Sequence, residues 1–214
     1  MADRSYSRLD RIIGQLNQAL LTVFGPSSPP ARPSPADGKP EIEMTSEERE
    51  LSGRLMRVNH AGEICAQALY QGQAVTARLA DVREKMEQAA AEEADHRAWT
   101  AERLRELGAR PSRLNPMFYA GAFAVGAAAG LAGDRWSLGF LAETERQVVR
   151  HLEGHLERLP PHDRKSRAIL DQMKEDEGRH ATMALDSGGA PLPEPVQRLM
   201  RLASKAMTET TFWI

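Results

Sequence analysis

Cysteine is nearly missing from this sequence: Cys65 is the single one in 214 residues. One thiol builds neither a disulfide framework nor a zinc ribbon, and such sparing use suits a reducing compartment. Cys65 itself reads as a small buried hydrophobe, not as a reactive thiol. Aromatic residues make up only 5% of the chain. β-Branched runs are equally scarce and no turn-separated alternation appears, so nothing in the pattern predicts a sheet. An excess of either charge is also lacking, since 28 Lys and Arg face 30 Asp and Glu. With no basic block, nucleic acid is excluded as a partner. A secretory leader is not expected, because the first apolar run carries Asp10, Arg11 and Gln15. Asp3 and Asp10 among the N-terminal arginines speak against a mitochondrial transit peptide.

What is abundant is Ala, Leu, Glu and Arg, all strong helix formers. Residues 5–24 place Leu9, Ile12, Ile13, Leu16, Leu20, Val23 and Phe24 on one stripe at helical spacing. "GPSSPPARPSPADGKP" (25–40) is too rich in proline for helix or strand. This divides the chain into an amphipathic helix (1–25), a Pro-rich linker (26–42) and one domain (43–214). Thr45 with Glu48 three residues on marks a capped helix start, running to about Ala77. Further helices are predicted over 81–107, from Asp134 to Arg158, from an Asp163 cap to Leu185, and over 194–212. The fold class is therefore all-α, a helical bundle. Residues 114–133, "LNPMFYAGAFAVGAAAGLAG", hold no charge. They allow three readings: a membrane span, a tight Ala/Gly seam inside the bundle, or a monotopic insertion.

Two places repeat one pattern, Glu93-x-x-His96 and Glu177-x-x-His180. Residues i and i+3 share a helix face, so each pair can reach one metal ion. Either pair alone is a weak signal. Single glutamates strengthen it: Glu63 precedes Glu93 by 30 residues and Glu145 precedes Glu177 by 32. A helical hairpin with arms of roughly 22 Å has that length. Each half then offers one lone Glu and one Glu-x-x-His. Together they form the ligand set of ferritin-like di-iron centres. Two divalent cations neutralise four carboxylates that could not otherwise be buried, and hard oxygen donors with a few imidazoles suit iron or manganese. Asp176 and Glu92 each precede a ligand glutamate and are placed to hold His96 and His180 respectively. Gly62, beside Glu63, would let a neighbouring helix or a bound molecule approach. His60 reads as a surface or supporting group, and His155 and His162 as solvated.

"LMRVNHAGEICAQALYQGQ" (55–73), "EEADH", "AETERQVVRH" (142–151) and "DEGRH" resemble the Coq7 family over residues 45–214. That resemblance implies hydroxylation of a demethoxyubiquinol by O₂ in ubiquinone biosynthesis. It implies two iron ions held by Glu63, Glu93, His96, Glu145, Glu177 and His180, with His151 as a supporting histidine. It also implies peripheral attachment to the cytoplasmic side of the bacterial inner membrane. Homo-oligomers and other ubiquinone-biosynthesis proteins are left open as partners, and a ferritin- or rubrerythrin-like iron oxidase or peroxide scavenger is the competing reading. The chain departs from the animal pattern at Ile64 and Cys65, where Tyr-Gly is expected, and at Leu152, where a tyrosine is. A tyrosine relay at that place is therefore not expected. No G-x-G-x-x-G follows a strand, so the reductant is not readable.

Overall fold

The computed structural model describes residues 8–25 and 29–214; the side chains of 8–12, 15, 80, 81, 83 and 87 lie outside that description. Residues 5–7 of the first predicted helix, and Leu9 and Ile12 of its stripe, thus fall outside the described residues and side chains. Among the described residues seven helices follow in order: α1 (Arg8–Phe24), α2 (Ser46–Thr76), α3 (Ala80–Glu106), α4 (Asn115–Leu131), α5 (Asp134–Arg158), α6 (Arg164–Asp186) and α7 (Glu194–Trp213). No strand occurs among the described residues, as the sequence predicts.

Local chemistry sets the ends. Thr45 Oγ1 accepts from Glu48 N and the Glu48 carboxylate accepts from Thr45 N, a reciprocal cap on α2. Asp163 Oδ1 accepts from Ser166 N at the start of α6. Gly108, Gly133 and Gly188 adopt positive φ where the chain leaves α3, α4 and α6.

α2, α3, α5 and α6 form the bundle. α2 pairs with α3, α5 with α6, and the hairpins meet through α3 against α6 and α2 against α5. The arms are matched. Glu63 lies 13 residues before the end of α2 at Thr76, and Glu93 lies 13 after the start of α3 at Ala80. Glu145 lies 13 before Arg158, and Glu177 lies 13 after Arg164. At 1.5 Å per residue each is about 20 Å from its turn, so all four reach one level. Apolar clusters close the bundle on either side of that level. Leu55, Met56, Trp99, Leu104, Leu152, Ile169, Leu170 and Met173 pack at one end. Tyr70, Val82, Met86, Leu138, Leu141 and Ala184 pack at the other.

α4 resolves the uncharged stretch as a seam. It lies along α2, and a Cβ on Gly72 would meet Phe123 O and stand 2.7 Å from Ala127 N. A Cβ on Gly126 would enter the Leu69 backbone, and one on Gly130 the Thr76 side chain. At 17 residues, or about 25 Å, α4 is short of a span. No helix of the described residues is long and apolar enough to cross a membrane. Its outer side still exposes Met117, Val125 and Leu131.

Residues 29–44 are irregular but lie against the bundle. Ala31 N donates to Asp95 Oδ1 at 2.6 Å, Glu41 pairs with buried Arg103 at 2.7 Å, and Met44 joins the core. Gly126→Ala should destabilise the protein by about 1–3 kcal/mol through overpacking of the seam. At Gly121 no atom lies within 4 Å of an added Cβ, and Gly121→Ala should gain about 0.5–1 kcal/mol. Urea unfolding of the pair checks this; equal effects would mean that α4 does not pack as described.

Candidate metal centre

Glu63, Glu93, His96, Glu145, Glu177 and His180 are 0 to 4% exposed. Four carboxylates at that depth carry a desolvation cost of several kcal/mol each unless paired. The geometry shows what faces them. His96 Nδ1 lies 3.5 Å from Glu63 Oε2, 3.4 Å from Glu93 Oε2 and 3.1 Å from Glu177 Oε1. His180 Nδ1 lies 3.4 Å from Glu93 Oε1 and 3.0 Å from Glu177 Oε2. Ligand atoms of Glu63, Glu93, His96 and Glu177 fall within 4.8 Å of one another. Glu145 completes the level from α5, where Tyr70 Oη donates to its Oε1 at 2.5 Å.

Four of the polar atoms that point inward lack hydrogen bonds. Glu63 Oε2, both Glu93 oxygens and His96 Nδ1 are buried without one. Buried polar atoms are almost always satisfied, so four orphans converging on one space call for a cation. Outward, each imidazole is held. His96 Nε2 lies 2.9 Å from Asp176 Oδ2, and His180 Nε2 lies 2.8 Å from Glu92 Oε2. A carboxylate on Nε2 selects the tautomer that leaves Nδ1 free for a metal. The donors are carboxylate oxygen and imidazole nitrogen, which suits iron or manganese.

Without a cation, these buried groups shift one another's protonation. Burial and the neighbouring Glu93 charge push Glu63 well above the usual carboxylate range. Burial, with Glu177 and Glu93, does the same to Glu145. Burial opposes charge on His96 and His180, but the carboxylates around them win, and His180 is raised to about 12. Burial pushes Glu93 up, but the His180 and His96 imidazoles close to its oxygens together outweigh that, so it ends below its ordinary value.

His151 lies six residues beyond Glu145 on α5, half-buried, with its ring 3.9 Å from that of His155. His155, expected in solvent, is buried, and its Nδ1 lies 3.0 Å from Asn59 Oδ1. Burial holds His151 at about 4 and His155 at about 2, so both are neutral. His60 is buried as well, 3.2 Å from Thr100 Oγ1. No atom lies within 4 Å of a Cβ built at Gly62, so no helix closes on Glu63 there. Tyr70, not singled out by sequence, had a readable signal: it stands two turns after Glu63 on the same face of α2. Arg32 and Asp95 had none, because a linker arginine carries no periodicity.

An all-helical bundle whose two hairpins each bring one Glu and one Glu-x-x-His to a buried cluster is a ferritin-like fold with a site compatible with metal. Sequence comparison is more specific. The family described as ubiquinone biosynthesis protein COQ7 matches residues 50–211. A 3-demethoxyubiquinol 3-hydroxylase of Nitrosococcus oceani is 57% identical over 214 residues, covering 100% of both chains. Proteins of the same name from Azotobacter vinelandii and Pseudomonas paraeruginosa are 56% and 55% identical, each covering 99% or more of both chains. The chain belongs to the COQ7 family.

A pH dependence follows for the metal-free protein. Above pH 6.5, the ordinary histidine value, His96 and His180 still hold protons in the folded state that the unfolded chain has released. Glu63 and Glu145 act in the same direction from 4.5 upward. Stability must then fall as pH rises. The lowered carboxylates Glu93 and Asp176 titrate well below this window, and the lowered His60, His151 and His155 oppose the trend only near its acidic edge, their unfolded value being 6.5. The Tm of metal-stripped protein should decline from pH 7 to pH 9, and added Mn²⁺ should flatten the decline. A Tm that rises over that range would contradict the assignment.

Proposed function

We propose that this chain is a di-iron monooxygenase that hydroxylates the quinol ring of a demethoxyubiquinol with O₂, acting at a membrane surface in ubiquinone biosynthesis. The observation that carries the reading is the set of buried, unpartnered Glu63, Glu93 and His96 atoms facing one space. The COQ7 membership and the printed names of the relatives supply the substrate class.

Glu63, Glu93, His96, Glu145, Glu177 and His180 would hold the metal. Two ferrous ions would balance four carboxylates and, when bound, supply the electrons that activate dioxygen. The protein's own part is positioning. Asp176 and Glu92 fix the imidazoles, and Tyr70 fixes one Glu145 oxygen. The two apolar clusters keep water from both ends of the site. His151, beside His155 on α5, would be the supporting histidine that the family resemblance implies.

A polyprenyl substrate lives in the bilayer, and the surface fits a peripheral protein. α1 exposes Ile13, Leu16, Leu20, Leu21 and Phe24, and it packs against α4, which exposes Met117, Val125 and Leu131. Weak single anchors act together in such binding. On this reading residues 1–25 anchor, 26–42 connect and 43–214 catalyse, at the cytoplasmic face of the inner membrane.

Anaerobic loading with Fe²⁺, followed by O₂ and a short-chain demethoxyquinol, tests the activity. Two irons per chain with hydroxylated product are expected; iron oxidation without product would make the protein ferritin-like. Asp176→Asn and Glu92→Gln should each cost about 10–100-fold in turnover or iron affinity, and His180→Ala more, with helix content kept. Vesicle co-sedimentation tests the surface. Each exposed leucine contributes about 1.5–3 kcal/mol when buried. Leu16→Glu with Leu20→Glu should therefore cut partitioning at least tenfold, and unchanged partitioning would remove α1 from the contact.

A further inference from the structure

The segment between α1 and α2 bears none of the ligands, yet it reaches the groups that hold them. Arg32 sets Nε 2.8 Å from Asp95 Oδ2 and Nη1 2.8 Å from Asp176 Oδ2. Its guanidinium lies 4.9 Å over the Trp99 ring, and that ring sits 5.4 Å from the His96 ring. The main chain fixes the arginine on both sides. Ala31 N donates to Asp95 Oδ1 at 2.6 Å, and Arg32 O accepts from Trp99 Nε1 at 3.4 Å.

Asp176 is wholly buried. Its Oδ2 receives Arg32 from outside and His96 Nε2 from inside, while Oδ1 receives Gln172 Nε2 at 3.0 Å and Arg179. One oxygen therefore joins the strap to a ligand imidazole. Asp95 stands on α3 and Asp176 on α6, so the guanidinium also bridges the two helices at the level of the site. A planar fork that bonds two carboxylates fixes their separation in a way that a point charge does not.

We propose that Arg32 is a positioning residue of the metal centre, holding Asp176 so that His96 presents Nδ1 to the cation. The inference rests on the metal-centre reading above. Arg32 touches neither metal nor substrate; it acts through one hydrogen-bonded carboxylate.

The full-length, metal-free protein is titrated with Co²⁺, read by its visible d–d bands and by Tm. Arg32→Gln should weaken Co²⁺ binding about tenfold and change the band shape, at unchanged helix content. Arg32→Lys, which keeps the charge, should recover part of that loss. Asp95→Asn removes one arm of the fork, should cost about threefold, and carries the test if Arg32→Gln does not fold. Glu41→Gln is the control: Glu41 anchors the same strap to Arg103 and Lys165, nine residues further on. It should lower Tm and leave Co²⁺ binding unchanged. If Arg32→Gln and Asp95→Asn bind Co²⁺ as wild type does, or Glu41→Gln weakens binding as much, the proposal is overturned. Wild-type protein that takes up no Co²⁺ would instead bring down the metal-centre reading, and this inference with it.

Discussion

Four carboxylates at one level of a dry helical bundle are the constraint on which the rest of this structure depends. Like charges packed that closely repel, and burial strips each of its hydration. Nothing apolar can offset that. The surrounding design answers it with two imidazoles aimed inward, and with Asp176 and Glu92 behind them to fix their orientation. The main apolar packing consequently falls into two clusters toward the ends of the bundle, with a smaller one of Ile64, Ala68 and Tyr119 on the α4 side.

The halves solve the problem in the same way and then lock each other. Both hairpins place their glutamates 13 residues from the turn. The supporting carboxylates cross over: Asp176 on α6 holds His96 on α3, and Glu92 on α3 holds His180 on α6. Each hairpin thus lacks a proper site without the other. At the level of the site the α3–α6 contact is therefore made by hydrogen bonds, with apolar side chains of both helices in the clusters beyond it.

Much of this was legible before any coordinates. Thr45 and Asp163 announce their helices because a capping side chain bonds locally. The convergence of the glutamates was legible because helix rise is constant, so sequence distance to a turn becomes spatial distance. What was not legible depends on packing direction. Nothing local to His155 says that α2 covers it with Asn59. The uncharged stretch 114–133 satisfies a seam and a membrane contact equally well, and only the position of α2 against Gly126 and Gly130 decides which face does which. Gly62 looked like a close approach, and its free side turns out to face open space.

The N-terminal segment shows how much one helical turn can organise. On α3, residues 95 and 99 share a face, 97 points to another, and 96 and 100 point inward, as a 3.6-residue period requires. Asp95 and Trp99 bind the strap at Ala31 and Arg32. Arg97, buried and without a carboxylate partner among the described residues, reaches Thr22 O near the end of α1. Between them His96 faces the carboxylates, with Thr100 one turn on. The amphipathic helix and the strap therefore both terminate on the turn that carries His96. Displacing α1 from its seat would release Arg97 from the carbonyl that it caps. The apolar outer helix and the buried cluster thus meet on one turn of α3.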